Sequence, residues 1–559
     1  MTLPQATPEL PPFYYLHNFQ RVLDWVAQRY ADLLSPEEAR FINDFQRVPH
    51  AAQALLVRMV MRKGQHFRAS KLRYPEIGNT ASAAKGLLAQ GWLTANPEVS
   101  LPDLAQQLTR AELAEHFNSD LSHLSRAKKA EMVTALANQY PQAQPWHVWV
   151  PRLNDPLYQL RVMAHCDRFR LMFFGNLHQE WSTFILAEMG LFRYETVAFT
   201  AQSRPFNHRT EVSTYLQLHA CREALAQGTD IDVVLADVPA ALPSNVWLTQ
   251  RRDRLLYHIA YTLERTERAD QALALYAGIQ HPGARLRSLR ILEKQGDYAT
   301  ALTRLRHAQL NPESEAERQL MARLQPRLHR QLGLPKPIQP KSPAVNEHRL
   351  TLPNDGRRVE AQVVGHLTSN QAPVYYVENA LINSLLGLLC WPVMFANLPN
   401  AFFHPYQSGP ADLNRPDFYR RRQVQFDQAL AQLDTSEYTR TIRRTYQEKF
   451  GLMSPFVHWV TVPKPLLEHA LECLPAAHLK AMFQRILFDV GANRSGLPDL
   501  IQFYPETGDQ PAIHPARPVR YRMIEVKGPG DRLQDNQKRW LAFAAAHGIA
   551  VDVIHVHWQ

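Results

Sequence analysis

Two apolar runs near the C-terminus constrain this chain more than any other feature. Gly496-Leu497-Pro498-Asp499-Leu500 sets an acid at the start of the first, and Ile524-Glu525-Val526-Lys527-Gly528-Pro529 sets an acid and a lysine two positions apart on the second. Side chains at i and i+2 share one face of a strand, so Glu525 and Lys527 point together and Val526 points away. If the runs pair as a hairpin, Asp499 joins them at one end. Two carboxylates and an ammonium there suit metal-assisted attack of water on a phosphodiester. The carboxylate oxygens hold a hard cation, and the lysine orients water or offsets phosphate charge. A bare E-x-K is far more often a surface ion pair, so context has to decide. Gly528-Pro529-Gly530-Asp531 stops the second run, a helical segment follows from about Gln534 to His547, and Ile549 to Val556 reads as a strand. Strand, helix, strand predicts a crossover in a partly parallel sheet.

The 559 residues make several domains, with a net charge of +10 that favours a polyanionic partner. Met1 to Pro12 reads as no signal peptide and no run is apolar enough to span a bilayer, which sets the expectation of a cytoplasmic protein without membrane contact, nucleoid-associated if bacterial. Cys166, Cys221, Cys390 and Cys473 lie far apart and show neither a zinc-site spacing nor a disulfide framework.

In chain order, residues 1–98 read as a helical DNA-binding region. Two amphipathic helices occupy 13–48, the second opened by Ser35-Pro36-Glu37-Glu38, which carries the elements of a capping box. A helix over Leu55–Gly64, a link through Phe67-Arg68 and Lys71-Leu72-Arg73-Tyr74, and a helix over Ala81–Gln90 resemble a winged-helix module. Arg62, Lys63, Arg68, Lys71 and Arg73 exceed what helix dipoles require and point to DNA-backbone contact. In residues 99–165, Thr109 and Glu112 can cap a helix over Arg110–Phe117, and Ser125-Arg126-Ala127-Lys128-Lys129 opens another. Cations at a helix N-terminus oppose its dipole, whereas a phosphate there would relieve the conflict. Arg126, Lys128 and Lys129 are the candidate contacts, and the hairpin resembles a SAP motif; the alternative is a solvated basic turn.

Residues 166–250 form a connecting region, with Val233–Trp247 read as loop. Residues 251–332 read as helical hairpins resembling tetratricopeptide repeats. The span 251–331 holds 15 Arg or Lys against 9 Asp or Glu, more than half of the surplus positive charge. Arg285, Arg287 and Arg290 cluster there, on either a solvated surface or a groove facing DNA. Residues 333–345 form a proline- and lysine-rich linker.

The C-terminal domain, 346–559, opens with expected strands at Arg349–Leu352 and Glu360–Val364. An apolar helix from Leu381 to Trp391 follows, stopped by Pro392. Glu378, at its entry, is either a dipole partner or a metal ligand. Arg420, Arg421 and Arg422, with Arg440, Arg443 and Arg444, are basic sets that either are solvated or hold phosphates beside a cut.

The pattern PD…E-x-K…Q-x-x-W resembles the PD-(D/E)XK nucleases. More narrowly, GLPDL, IEVKGPGDRL, the Gln537-Lys538-Arg539-Trp540 step and Leu385-Leu386-Gly387-Leu388-Leu389-Cys390-Trp391 resemble the virus-type replication-repair (VRR-NUC) domain. With its winged-helix-like, SAP-like and repeat regions, the whole chain resembles the Fanconi-anaemia-associated nuclease family. That resemblance implies a mostly α, multidomain protein with a C-terminal α/β nuclease domain. It implies a Mg²⁺- or Mn²⁺-dependent DNase acting on 5′ flaps and branched duplexes, with 5′-to-3′ exonuclease activity, in interstrand cross-link repair. It carries the catalytic set onto Glu378, Asp499, Glu525 and Lys527, with Gln537 in support. The principal metal would sit on Asp499, Glu525 and the Val526 carbonyl, with Glu378 toward a second metal or a bound water. Two departures stand out: a polar insert over Glu506–Pro518, and Asn536 where eukaryotic members carry a lysine. A junction-resolving endonuclease and a non-catalytic DNA-binding scaffold are the rival readings, and dimerisation on DNA is left open.

Overall fold

The computed structural model describes residues 11–121, 127–184, 192–338, 345–505 and 520–559. The chain divides into two compact units, one of residues 1–192 and 204–212, the other of 193–203 and 213–559.

In the first unit, α1 (Tyr14–Arg29), α2 (Pro36–Phe45) and α3 (His50–Val60) precede β1 (His66–Arg68), α4 (Thr80–Ala89) and β2 (Leu93–Ala95). The expected capping box forms at α2: the Glu38 N–H donates to Ser35 Oγ and the Ser35 N–H donates to Glu38 Oε2. Glu38 is fully buried, and its charge is met by Arg168 and Arg209. A second small unit follows, with α5 (Leu101–Gln107), α6 (Arg110–His116) and α7 (Lys129–Ala137) closing their own core around Leu104, Leu113 and Trp146. The chain then returns as β3 (Leu157–Leu160), which pairs antiparallel with both β1 and β2. The three-stranded sheet is therefore completed by a strand from beyond the SAP-like helices.

In the second unit, α8 (Val246–Arg265), α9 (Ala269–Ala277), α10 (Ala284–Gln295), α11 (Tyr298–Leu310) and α12 (Glu315–Gln331) pack each on the next, around Ile259, Tyr276, Leu289 and Leu305. Val233–Trp247, expected as loop, overlaps a helix over Ile231–Asp237 and includes the start of α8. Asp230 caps the first through the Asp232 and Val233 N–H groups. Short capped helices between prolines lack the length that makes periodicity legible.

The C-terminal part carries a five-stranded mixed sheet. Its strands are β4 (Asn346–Leu352), β5 (Val374–Tyr376), β6 (Leu500–Phe503), β7 (Tyr521–Lys527) and β8 (Val551–Trp558), in the order β4-β8-β7-β6-β5. β8 runs parallel to β4 and β7, while β6 pairs antiparallel with β7 and β5. The expected hairpin and the expected parallel return both form. Glu360–Val364 is not a strand: it lies in α13 (Val359–Leu367), whose Gln362 and Val363 are buried. Five residues of apolar and polar mixture fit either period, and packing against the sheet selects the helix.

One face of the sheet carries Ile501, Phe503, Met523 and Val553 under a large helical core, and the other carries Leu500, Ile524, Val526 and Ile554. The helical layer includes α14 (Leu381–Leu389), wholly buried, and α15 (Glu437–Glu448), α16 (Lys464–Cys473) and α17 (Ala476–Phe488). Pro392 does not stop the apolar helix. α14 ends at Leu389, and Pro392 sits in the first turn of a further short helix, Trp391–Met394, where its missing N–H is not needed. α18 (Asp535–Ala546) joins β7 to β8. Among the described residues no helix is long and apolar enough to cross a membrane. Cys166, Cys221, Cys390 and Cys473 are all buried, and none is in a disulfide.

Gly387 lets α14 meet the 456–457 segment closely: a Cβ there would lie 2.7 Å from Phe456 Cβ and 3.0 Å from Val457 Cγ2. Gly387→Ala should overpack this contact and destabilise the second unit by about 1–3 kcal/mol, read from denaturant unfolding.

Candidate active site

The site is assembled at one end of the β6–β7 hairpin. Leu500 pairs with Ile524, so Asp499 lies beside Glu525 just past the last ladder pair, on the face that carries Ile501 and Met523. Glu525 and Lys527 follow on that face by the two-residue period, with Lys527 Nζ 2.6 Å from Glu525 Oε1. The Val526 N–H donates to Asp499 Oδ2 at 2.9 Å, which fixes the first carboxylate. Burial is deep: Asp499 is 7%, Glu525 0% and Lys527 8% exposed. Glu525 Oε2 accepts no hydrogen bond among the described residues, and Oε1 has only the ion pair.

β5 brings the fourth residue. The Val377 N–H donates to the Asp499 carbonyl, and Glu378 follows in the turn before α14. Glu378 is exposed, and its carboxylate takes the Tyr376 hydroxyl proton as a hydrogen bond. Among the described residues no three His, Cys, Asp or Glu side chains are closed into a ready-made cation cage. Asp499 and Glu525 are fixed in place, and Glu378 is turned to Tyr376. Its charge nevertheless acts on both of the others, as does that of Glu360 in the first turn of α13 on Asp499. Tyr376 and Glu360 have no place at the site in the sequence reading, because their relation to Asp499 exists only once β5 and α13 are docked. Asn379 was also missed. At φ +52°, its side-chain oxygen accepts from the Leu497 N–H and its carbonyl from Asn383, tying the Glu378 turn to the Asp499 turn.

α18 supports the other side. Gly496, at φ +88°, leaves no room for a Cβ, which would lie 2.9 Å from Asn536. Asn536 thus backs the Asp499 turn directly. The Gln537 side chain closes a capping box by accepting from the Gln534 N–H, so its polar contact is with the helix end. From the repeat helices, Arg323 pairs with Asp535, Gln319 accepts from Arg539, and Glu315 meets Arg485, which stacks on Trp540.

Comparison with known proteins settles the family. Profiles match over residues 13–94 ("FAN1, HTH domain"), 98–149 ("Fanconi anemia-associated nuclease SAP domain") and 434–558 ("VRR-NUC domain"). The Fanconi-associated nuclease 1 homolog of Pseudomonas aeruginosa is 48% identical, covering 100% of this chain and 98% of its own. The chain belongs to the Fanconi-associated nuclease family. The Arabidopsis thaliana homolog is 21% identical over 97% of this chain and 67% of its own. A crystal structure of paFAN1 bound to 2nt 5′-flap DNA with a gap superposes with a TM-score of 0.91 at 48% identity, covering 99% of this chain and 100% of that one. This protein is accordingly a DNA nuclease, mostly helical, with a VRR-NUC domain on a mixed sheet. A VRR-NUC nuclease requires a divalent metal. The donor set fits one: oxygen-only ligands, with a fully buried carboxylate oxygen left without a hydrogen-bond partner among the described residues.

The nuclease's basic residues fall into those engaged by partners within the fold and those left exposed. Arg68 is internal, 6% exposed, and its guanidinium meets Asp155 and Glu112 at 2.7 Å each. That removes it from the phosphate contacts, because both carboxylates already satisfy it. Lys129 donates to the Leu108 carbonyl at 2.7 Å, closing the end of α5. Arg285 is held by Glu313 and Glu317, and Arg287 by Glu264. Arg421 and Arg422 both clamp the buried Asp412. These six hold the fold together. Arg62, Lys63, Lys71, Arg73, Lys128, Arg290 and Arg420 are exposed, and Arg126, like the 506–518 insert, lies outside the described residues.

These charges set two expectations for stability. Arg68→Ala strands two carboxylates and should cost the first unit roughly 3–5 kcal/mol in unfolding experiments. Burial lifts the Asp499 carboxyl from 3.8 to about 6 against the pull of the Val526 N–H, and burial followed by the Asp499 charge lifts Glu525 from 4.5 to about 7. Both groups ionise at lower pH in the unfolded chain. Between about pH 4 and pH 7 the folded state therefore binds more protons, and cation-free stability falls as pH rises through that window. Asp499→Asn should be more stable than the parent in chelator at about pH 8 and gain nothing near pH 4, read from thermal midpoints.

Proposed function

We propose that this nuclease cuts branched duplex DNA near the base of a 5′ flap and trims in the 5′-to-3′ direction, using Mg²⁺ or Mn²⁺, in the repair of interstrand cross-links. The observation that carries the reading is the buried, under-satisfied pair Asp499–Glu525 beside Lys527. Its support is a relative of full-length similarity seen with 5′-flap DNA.

Asp499, Glu525 and the Val526 carbonyl would hold the cation, which supplies Lewis acidity toward the phosphoryl oxygens and a more acidic water. The N–H and C=O of a strand residue leave on the same edge, so the Val526 carbonyl is directed to the side on which its N–H meets Asp499. Glu378 acts from the rim, where exchanging its Tyr376 partner for a water leaves the β5–β6 frame in place. Lys527 holds its ammonium between Glu525 and the space in front of the hairpin, ready to orient the attacking water and to offset charge building on the phosphate. Arg62, Lys63, Lys71, Arg73, Lys128, Arg290 and Arg420 serve as backbone contacts, which position the duplex without reading its sequence.

Purified protein on a labelled 5′-flap duplex with Mn²⁺ tests this. Cleavage next to the branch is expected, Asp499→Ala should abolish it while flap binding persists, and Lys527→Ala should lower kcat by roughly 10²- to 10⁴-fold. Normal cutting by Asp499→Ala would discard the site, and paired symmetric nicks in a four-way junction would replace flap cleavage with junction resolution.

A further inference from the structure

The outer face of α15 carries a feature that the catalytic site does not use. Its inner side is buried through Tyr438, Ile442 and Tyr446, packed toward α14. Its outer side lines an open surface depression with Ser436, Thr439, Arg440, Arg443, Arg444 and Gln447. The spacing 440, 443, 444, 447 places the three arginines and the glutamine on one helix face. Arg443 is held by Glu468, through Nε at 2.9 Å, which fixes one guanidinium at the wall. Arg440 and Arg444 are exposed and make no ion pair among the described residues. Like charges at i and i+4 repel, so the pair weakens the helix it sits on. Ser436 makes no side-chain cap to the helix, and the Thr439 hydroxyl donates back to the Ser436 carbonyl. A concave cluster of guanidiniums, hydroxyls and one amide carries donors for anion oxygens and no carboxylate of its own.

We propose that this depression is a backbone-phosphate site for an arm of the DNA substrate that leads away from the cut. The inference rests on the nuclease reading and extends it to substrate length. α15 packs against α14, whose first residue, Leu381, lies three positions after Glu378. The widths of these two packed helices place the depression on the order of 20 Å from the scissile position. At about 3.4 Å per base pair that is roughly six base pairs of duplex. The arm must therefore reach at least that far before the arginines engage it.

The test uses the full chain with Asp499→Ala, so that binding is read without cleavage, and compares Arg440→Gln/Arg444→Gln added to it. Two labelled 5′-flap DNAs serve as probes, one with duplex arms of about 20 base pairs and one cut back to about four. On the long-arm DNA the slope of log Kd against log salt should fall by about one for each phosphate that is no longer neutralised. On the short-arm DNA the two proteins should bind with equal slopes. Arg440→Lys/Arg444→Lys should restore most of the long-arm slope, because counterion release depends on charge. Unfolding midpoints within error of each other confirm that exposed residues alone were changed. Equal slopes on long-arm DNA would overturn the proposal. A drop of equal size on both probes would overturn it too, by placing the arginines at the cleft. Cleavage by the Asp499→Ala parent would instead count against the catalytic assignment, leaving the slope comparison to be read by itself.

Discussion

A carboxylate with no exposed surface and an oxygen that no donor reaches is expensive to keep, and among the described residues Glu525 is such a group. Taking an ion out of water costs several kcal/mol unless partners replace the lost hydration. Here the partners are Lys527 on the same strand face and Asp499 across the hairpin, and the second makes matters worse by adding like charge. The protein can hold this arrangement only because the frame around it is over-determined. The β6–β7 ladder sets the faces, the Val526 N–H pins Asp499, and Asn379 ties two turns together. What is unstable electrostatically is held geometrically, and a divalent cation is the species that converts the conflict into binding energy.

The same division governs the rest of the second unit. Gly496 allows α18 to sit against the Asp499 turn, and Arg323, Gln319 and Glu315 connect the repeat helix α12 to α18 and to Arg485 beneath it. The repeats therefore buttress the catalytic end, beyond whatever DNA they meet. The surface ion pair Arg323–Asp535 contributes little by itself. The weight falls on Arg485, buried between Glu315 and the rings of Trp540 and Phe543.

Much of the site was legible in the residues alone. Glu525-Val526-Lys527 carries its own geometry through the two-residue period, and GLPDL marks the turn that begins the partner strand. Ser35/Glu38 and Thr109/Glu112 announce helix starts through hydrogen bonds three residues long. Other parts were not legible. Glu360 reads as readily in a strand as in the helix it occupies, and β3 joins β1 and β2 from across the SAP-like helices. The partners of the basic clusters were not legible either. Arg285 with Arg287, and Arg421 with Arg422, look like phosphate ligands by composition and turn out to be anchors for buried or half-buried acids.

What the chain determined by itself was local: which side chains share a strand face, where helices begin, and that two acids and a lysine of the right chemistry lie in reach of one hairpin. Those follow from backbone periodicity and from hydrogen bonds spanning a few residues. Only the tertiary structure decided which cations remain in solvent and which acids surround the site. Asp155 reaches Arg68 from 87 positions away and Glu317 reaches Arg285 from 32, and no spacing rule encodes such partners. Charge is written in the sequence, but its neutralisation depends on what burial brings alongside.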